Sequence, residues 1–246
     1  MNRPALAKQF CKKVGWCYCL SSFKKHALVR HDYIPNLAPV VRELCVFGDS
    51  RVAGAAAYQG GFEGALDLAV PAHTDGIGGT STKQWARQEA VSWIMHKNPA
   101  YAMIALGGND LGGGMSDQEF LGNIFQIVCD LRENTAIQPI VHDILPLIQH
   151  MKATNADVIR VNNRLAILCR ILGVPFIQNF GFFNVPGIQT YNGLVFKNVM
   201  NLNCLALEEI PFPMWGKGGH YPVHLNAAGY KEWYFLLNIG LKKVVI

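Results

Sequence analysis

The sequence predicts a three-layered α/β domain, with a mainly five-stranded parallel sheet between two layers of helices. Three observations carry this. Short apolar runs end at glycine or proline, as buried parallel strands do. Longer segments between them carry apolar residues at helical spacing. The charged fraction is only 16% against 50% hydrophobic residues, which suits a sheet covered on both faces. At 246 residues the chain is one large domain or two small ones. No apolar run reaches the ~18–20 residues of a membrane span.

The expected strands are residues 44–47 (stopped by Gly48), 65–70 (stopped by Pro71), 101–106, 137–145 and 174–178. The expected helices are residues 81–96, 117–132, 155–172 and 226–241. In the second of these, Phe120, Ile124, Ile127 and Leu131 form one stripe behind an acidic first turn. Strand and helix alternate, which implies crossover connections. Residues 179–215 show no clear periodicity and are expected to shape one wall of a pocket.

Residues 1–40 read as a basic N-terminal arm and 41–246 as the domain. Arg3, Lys8, Lys12, Lys13, Lys24, Lys25 and Arg30 fall in residues 1–31, which hold no acid. The rest has fifteen basic and seventeen acidic residues, so any contact with nucleic acid or an anionic membrane would belong to residues 1–31. An irregular extension, a signal-peptide core at 14–23 and a mitochondrial presequence are the other readings of this stretch. Seven cysteines form no framework. Cys11, Cys17, Cys19, His26 and His31 lack the paired knuckle of a zinc site, so no metal is expected. An odd, unframed set of thiols points to a reducing compartment, read as cytoplasmic.

In open α/β sheets the working groups lie beyond the carboxyl ends of strands. After the first strand comes Gly48-Asp49-Ser50, with Ser50 opening a helix. A hydroxyl there can act as a nucleophile beside backbone amides, although Asp and Ser are also ordinary caps. After the second comes a glycine-rich turn through Gly78 and Gly79 to Thr80 and Ser81. After the third comes Gly107-Gly108-Asn109-Asp110, where the Asn amide can donate to a developing negative charge or make an Asx-turn. Near the end, His224-Leu225-Asn226 precedes the last helix, with Asn226 as its cap and His224 as a candidate base or a structural histidine. Ser116 and Asp110 sit in no nucleophile–base arrangement.

These motifs, in this order, resemble the SGNH (GDSL-like) hydrolase family from about Cys45 to Leu241. The resemblance includes Asn163-Arg164-Leu165 and the run Leu172-Gly173-Val174-Pro175. It implies a flavodoxin-like fold and a serine esterase or acylhydrolase needing no cofactor. Ser50 would be the nucleophile and His224 the base. The oxyanion hole would be the amides of Ser50 and Gly79 with the Asn109 side chain, and Asp49 would support them. The family usually has Asp three residues before the histidine; here that residue is Tyr221. A phenol, with a reference pKa near ~10, is no anion at neutral pH. Either a backbone carbonyl orients His224, or Glu208 or Glu209 reaches it, or the chain is a degenerate binding module. Ile77-Gly78-Gly79-Thr80 and Val223-His224-Leu225-Asn226 are also similar to SGNH domains of animal genomes, including those in non-LTR retrotransposon reading frames.

Overall fold

A computed structural model describes residues 1–17, 22–31, 33, 40–147, 153–191, 194–205 and 224–245, with residues 190–191 and 194–199 described by backbone alone. The chain begins with α1 (Arg3–Lys13) and α2 (Ser22–Ala27). There follow β1 (Val41–Gly48), α3 (Ser50–Ala55), α4 (Gly61–Ala65) and β2 (Ala72–Gly76). Next come α5 (Thr82–Trp85), α6 (Gln88–Lys97), β3 (Pro99–Ala105), α7 (Gly108–Gly112) and α8 (Asp117–Asn134). Then β4 (Gln138–His142), α9 (Asn155–Leu172), β5 (Phe176–Ile177) and α10 (Phe180–Phe183) lead to a hairpin of β6 (Asn184–Tyr191) and β7 (Leu194–Met200). A short 3-10 turn (Leu202–Cys204) and α11 (Ala227–Leu241) complete the described elements.

Five strands form one parallel sheet, as expected, in the order β2-β1-β3-β4-β5. Successive side chains of a strand point to opposite faces. Accordingly Cys45, Phe47, Ala102, Ile104 and Val141 enter one core, with α8 and α9. Leu44, Val46, Met103 and Ile140 enter the other, with α3 and α11. Both faces are covered, so the strands are apolar on both sides. The chain leaves β1 toward β2 and then returns to β3 on the other side. The topological switch point therefore lies between β1 and β3, where ligand sites of such sheets form.

Several expected elements fall elsewhere. Residues 65–70 are not a strand; Leu66 and Leu68 pack against the α11-side core, and the strand is Ala72–Gly76. Pro71 has no N–H for the ladder, but its carbonyl accepts from Leu44 N at 2.8 Å and starts the pairing. At the sheet edge the strand can be polar. The helix expected over 81–96 is two helices, divided at Ala86 and Arg87. The irregular stretch from 179 holds the β6–β7 hairpin. Ser116 caps α8, accepting from Glu119 N at 3.2 Å.

The basic N-terminal segment packs on the domain. Arg3, Ala7, Phe10 and Cys11 of α1 are buried at helical spacing, as are Phe23 and Ala27 of α2. Phe10 meets Phe23 at 4.8 Å between ring centroids, and Phe23 meets Phe125 of α8 at 5.5 Å. Burying each such ring stabilises by about 1.5–3 kcal/mol. Arg3 is 1% exposed and pairs with Asp130 and Glu133 of α8. Lys8, Lys12, Lys13, Lys25 and Arg30 face solvent.

Candidate functional site

Ser50 is the first residue of α3, directly beyond β1, and is half-buried. Asp49 caps that helix; its carboxylate accepts from Arg51 N at 2.9 Å. Burial pushes the Asp49 carboxyl up, while Arg51, that backbone bond and the charge of His224 pull it down. Arg51 is buried too, and its guanidinium donates to the Pro146 carbonyl at 3.1 Å. Asp49 and Arg51 line a cleft with Leu106, His142, Asp143 and Trp233.

On the same sheet edge, β2 runs into the turn that carries Gly79. This residue is exposed with φ +73°, a conformation that glycine adopts without strain. Thr80 folds back, its hydroxyl donating to the Ile77 carbonyl at 2.7 Å, and Trp85 Nε1 donates to that hydroxyl at 2.9 Å. Asn109, in the first turn of α7, donates from Nδ2 to the Thr80 carbonyl at 2.8 Å. The Gly79 and Asn109 segments are thus joined directly. An Asn amide has two N–H groups, so one remains for a ligand. Asp110 is 1% exposed, and burial above all pushes its carboxyl up to about 6. The nearby Asp49 charge pushes in the same direction.

His224 stands two residues ahead of Asn226, the cap of α11, and is half-buried. Its neighbour Asn226 accepts from Gly229 N at 2.9 Å and donates to the Asn203 and Leu205 carbonyls, each at 2.9 Å. A Cβ on Gly229 would lie 2.3 Å from the Cys204 carbonyl oxygen, so glycine is needed for this close approach. Tyr230 OH donates to the Arg51 carbonyl at 2.8 Å, and Tyr234 OH to the Ala55 carbonyl at 2.8 Å. The helix after His224 is therefore pinned to the helix that begins with Ser50. Tyr221, Glu208 and Glu209 lie outside the described residues.

Sequence reasoning missed the supporting residues of the cleft. Trp233 Nε1 can only donate, and it lies 3.0 Å from His142 Nε2. Nε2 also lies 2.8 Å from Asn179 Oδ1, and Nδ1 lies 2.6 Å from the Asp143 carbonyl oxygen, so the ring is held on both sides. Asp143 Oδ2 accepts from Asn179 N and Phe180 N at 2.9 and 2.8 Å, and Oδ1 has no hydrogen bond. Burial pushes that carboxyl up. His142 and Asp143 end an apolar strand, which was their only signal.

Among the described residues, no group of three or more His, Cys, Asp or Glu gathers to hold a metal. Cys45, Cys129, Cys169 and Cys204 are buried thiols. No described helix is long and apolar enough to cross a membrane.

Residues 46–232 match the GDSL-like lipase/acylhydrolase family. No curated protein sequence matches the chain. Among solved structures, it is similar to a candidate acylhydrolase from Bacteroides fragilis, with TM-score 0.61 and 18% identity over 91% of this chain and 95% of that one. A GDSL-like lipase from Bacteroides thetaiotaomicron gives TM-score 0.57 and 16% identity over 97% and 96% of the two chains. A psychrotrophic esterase from Pseudoalteromonas, solved as inhibited by monoethylphosphonate, gives 0.55 and 11% over 82% and 98%. At these identities the likeness is one of fold.

Proposed function

Because this chain belongs to the GDSL-like lipase/acylhydrolase family, we propose that it is a serine esterase cleaving the carboxylic ester of a lipid or an acetylated compound. Ser50 is its nucleophile and His224 its base. The observation that best supports this reading is the meeting of three segments at one sheet edge. Ser50 opens α3 beside the switch point, and Asn109 bonds directly to the residue after Gly79.

In this mechanism His224 takes the Ser50 hydroxyl proton as Oγ attacks the ester carbonyl. The amides of Ser50 and Gly79 and the second N–H of Asn109 Nδ2 receive the negative oxygen of the tetrahedral intermediate. Collapse expels the alcohol, which takes its proton from His224. Water, deprotonated by His224, then releases the acid from Ser50. Asp49 holds the start of α3. No metal or organic cofactor takes part. The chain works in a reducing compartment such as the cytoplasm, and the exposed lysines of residues 1–31 offer an anionic membrane or nucleic acid a place to bind.

Tyr221 supports a second reading. Without a carboxylate three residues before His224, the same scaffold could be a binding module that no longer turns over. A fluorophosphonate separates the two. The esterase acquires one phosphonyl group on Ser50, visible by mass, and Ser50→Ala acquires none. An unlabelled wild type would decide for the binding module.

A further inference from the structure

Asp110 follows Asn109 directly, yet the mechanism does not use it. We propose that Asp110 is a positioning residue that holds the Gly79 segment and the Asn109 side chain in register as one oxyanion hole. This rests on the serine esterase reading.

The hydrogen bonds carry the argument. Asp110 Oδ1 accepts from Thr82 N at 2.9 Å and also from the Thr82 hydroxyl. Asn123 of α8 donates to that hydroxyl at 3.0 Å, so Thr82 is held from two elements. Two residues earlier, Asn109 holds the Thr80 carbonyl. Consecutive residues in the first turn of α7 therefore grip both ends of Thr80–Ser81–Thr82. Gly79 is the next residue toward β2, and its position relative to Asn109 follows from that grip.

Helix capping accounts for only part of Asp110, whose Oδ1 takes the first N–H of α5. The short helix α5 already has Ser81 and Gln84 as a reciprocal cap, with Ser81 N donating to Gln84 Oε1 at 2.9 Å. Asp110 is buried, and its second oxygen, Oδ2, has no hydrogen bond. A carboxylate kept in that condition costs stability. Such groups persist where they serve a site. A misplacement of about 1 Å in a reacting constellation can cost about 100-fold in rate.

The test is p-nitrophenyl acetate kinetics on the full chain, as a double-mutant cycle between Asp110→Ala and Asn109→Ala. Asp110→Ala alone should lower kcat about 10- to 100-fold with little change in KM. In the Asn109→Ala background it should cost no more than about twofold, because there is no longer a register to lose. Asp110→Asn keeps one acceptor oxygen and should stay within about threefold of wild type. Should Asp110→Ala fail to fold, Thr82→Val with Asn109→Ala gives the same cycle. A kcat for Asp110→Ala within twofold of wild type overturns the proposal, and so do losses that multiply in the double variant. Ser50→Ala, run alongside, separates the two readings. Turnover surviving there overturns the esterase reading and this inference with it. An inactive Ser50→Ala beside a fully active Asp110→Ala overturns the positioning role alone.

Discussion

Around Gly79 and Asn109 the supporting bonds join residues 28 and 29 positions apart, whereas Tyr230, which ties the helix after His224 to the one begun by Ser50, bonds 179 positions away. The first region closes through one β–α crossover, and its contacts form early in the chain. The second needs both ends of the chain in place. It also has Tyr221 where the family's acid stands. On the proposed reading, the electrophilic half of the site is held by local contacts. The basic half depends on how α11 docks.

The largest expected effect falls on the local half. Asn109→Ala should lower kcat about 10²–10³-fold, the usual cost of one oxyanion donor. It should lower the melting temperature by no more than about 2–4 °C, because one hydrogen bond, to the Thr80 carbonyl, is lost. Steady-state kinetics with a calorimetric scan check both; a loss of tenfold or less would place the oxyanion elsewhere.

The same half carries a pH signature. Asp110, pushed up to about 6, binds its proton more tightly in the fold than in the unfolded chain. Its contribution is therefore fully present below about pH 4, is lost as pH rises through about 6, and stays flat above that. The displacement from 3.8 is worth on the order of 3 kcal/mol. Asp49 and Asp143, also raised, act with the same sign. Urea denaturation across pH 4–8 should show wild type losing stability relative to Asp110→Asn between pH 4 and 6. A gain over that interval would contradict the assignment.

In the basic half, Tyr230→Phe removes one hydrogen bond to the Arg51 carbonyl and leaves the ring stacked on Tyr58. It should cost about 1 kcal/mol, or 2–4 °C of melting temperature in a chain this long. The slackened α11 should lower kcat more than it raises KM. Tyr221→Asp then sharpens the contrast. Restoring a carboxylate should raise kcat about tenfold, roughly 1.4 kcal/mol. An unchanged kcat would mean that another group already orients His224.

Much of this was legible in the sequence because it is local. The ends of β1 and β3, with Asp49, Ser50 and Asn109, lie beside apolar runs stopped by glycine, and Asn226 caps α11 as its motif requires. What was misread depends on the other side of a contact. Leu66 and Leu68 look like a strand but pack as a loop, while the polar Ala72–Gly76 is a strand because it lies at the sheet edge. Arg51 carried no signal in the sequence; it is buried because the Pro146 carbonyl, 95 positions away, comes to meet it. Arg3 belongs to a basic stretch in sequence and to a buried ion pair in the fold.

The most direct test of the central claim is the hydrolysis of p-nitrophenyl acetate by the wild-type chain and by Ser50→Ala, with melting temperatures measured on both. Turnover is expected in the wild type, none above background in the variant, and melting temperatures within a few degrees. Equal rates in the two proteins would contradict it.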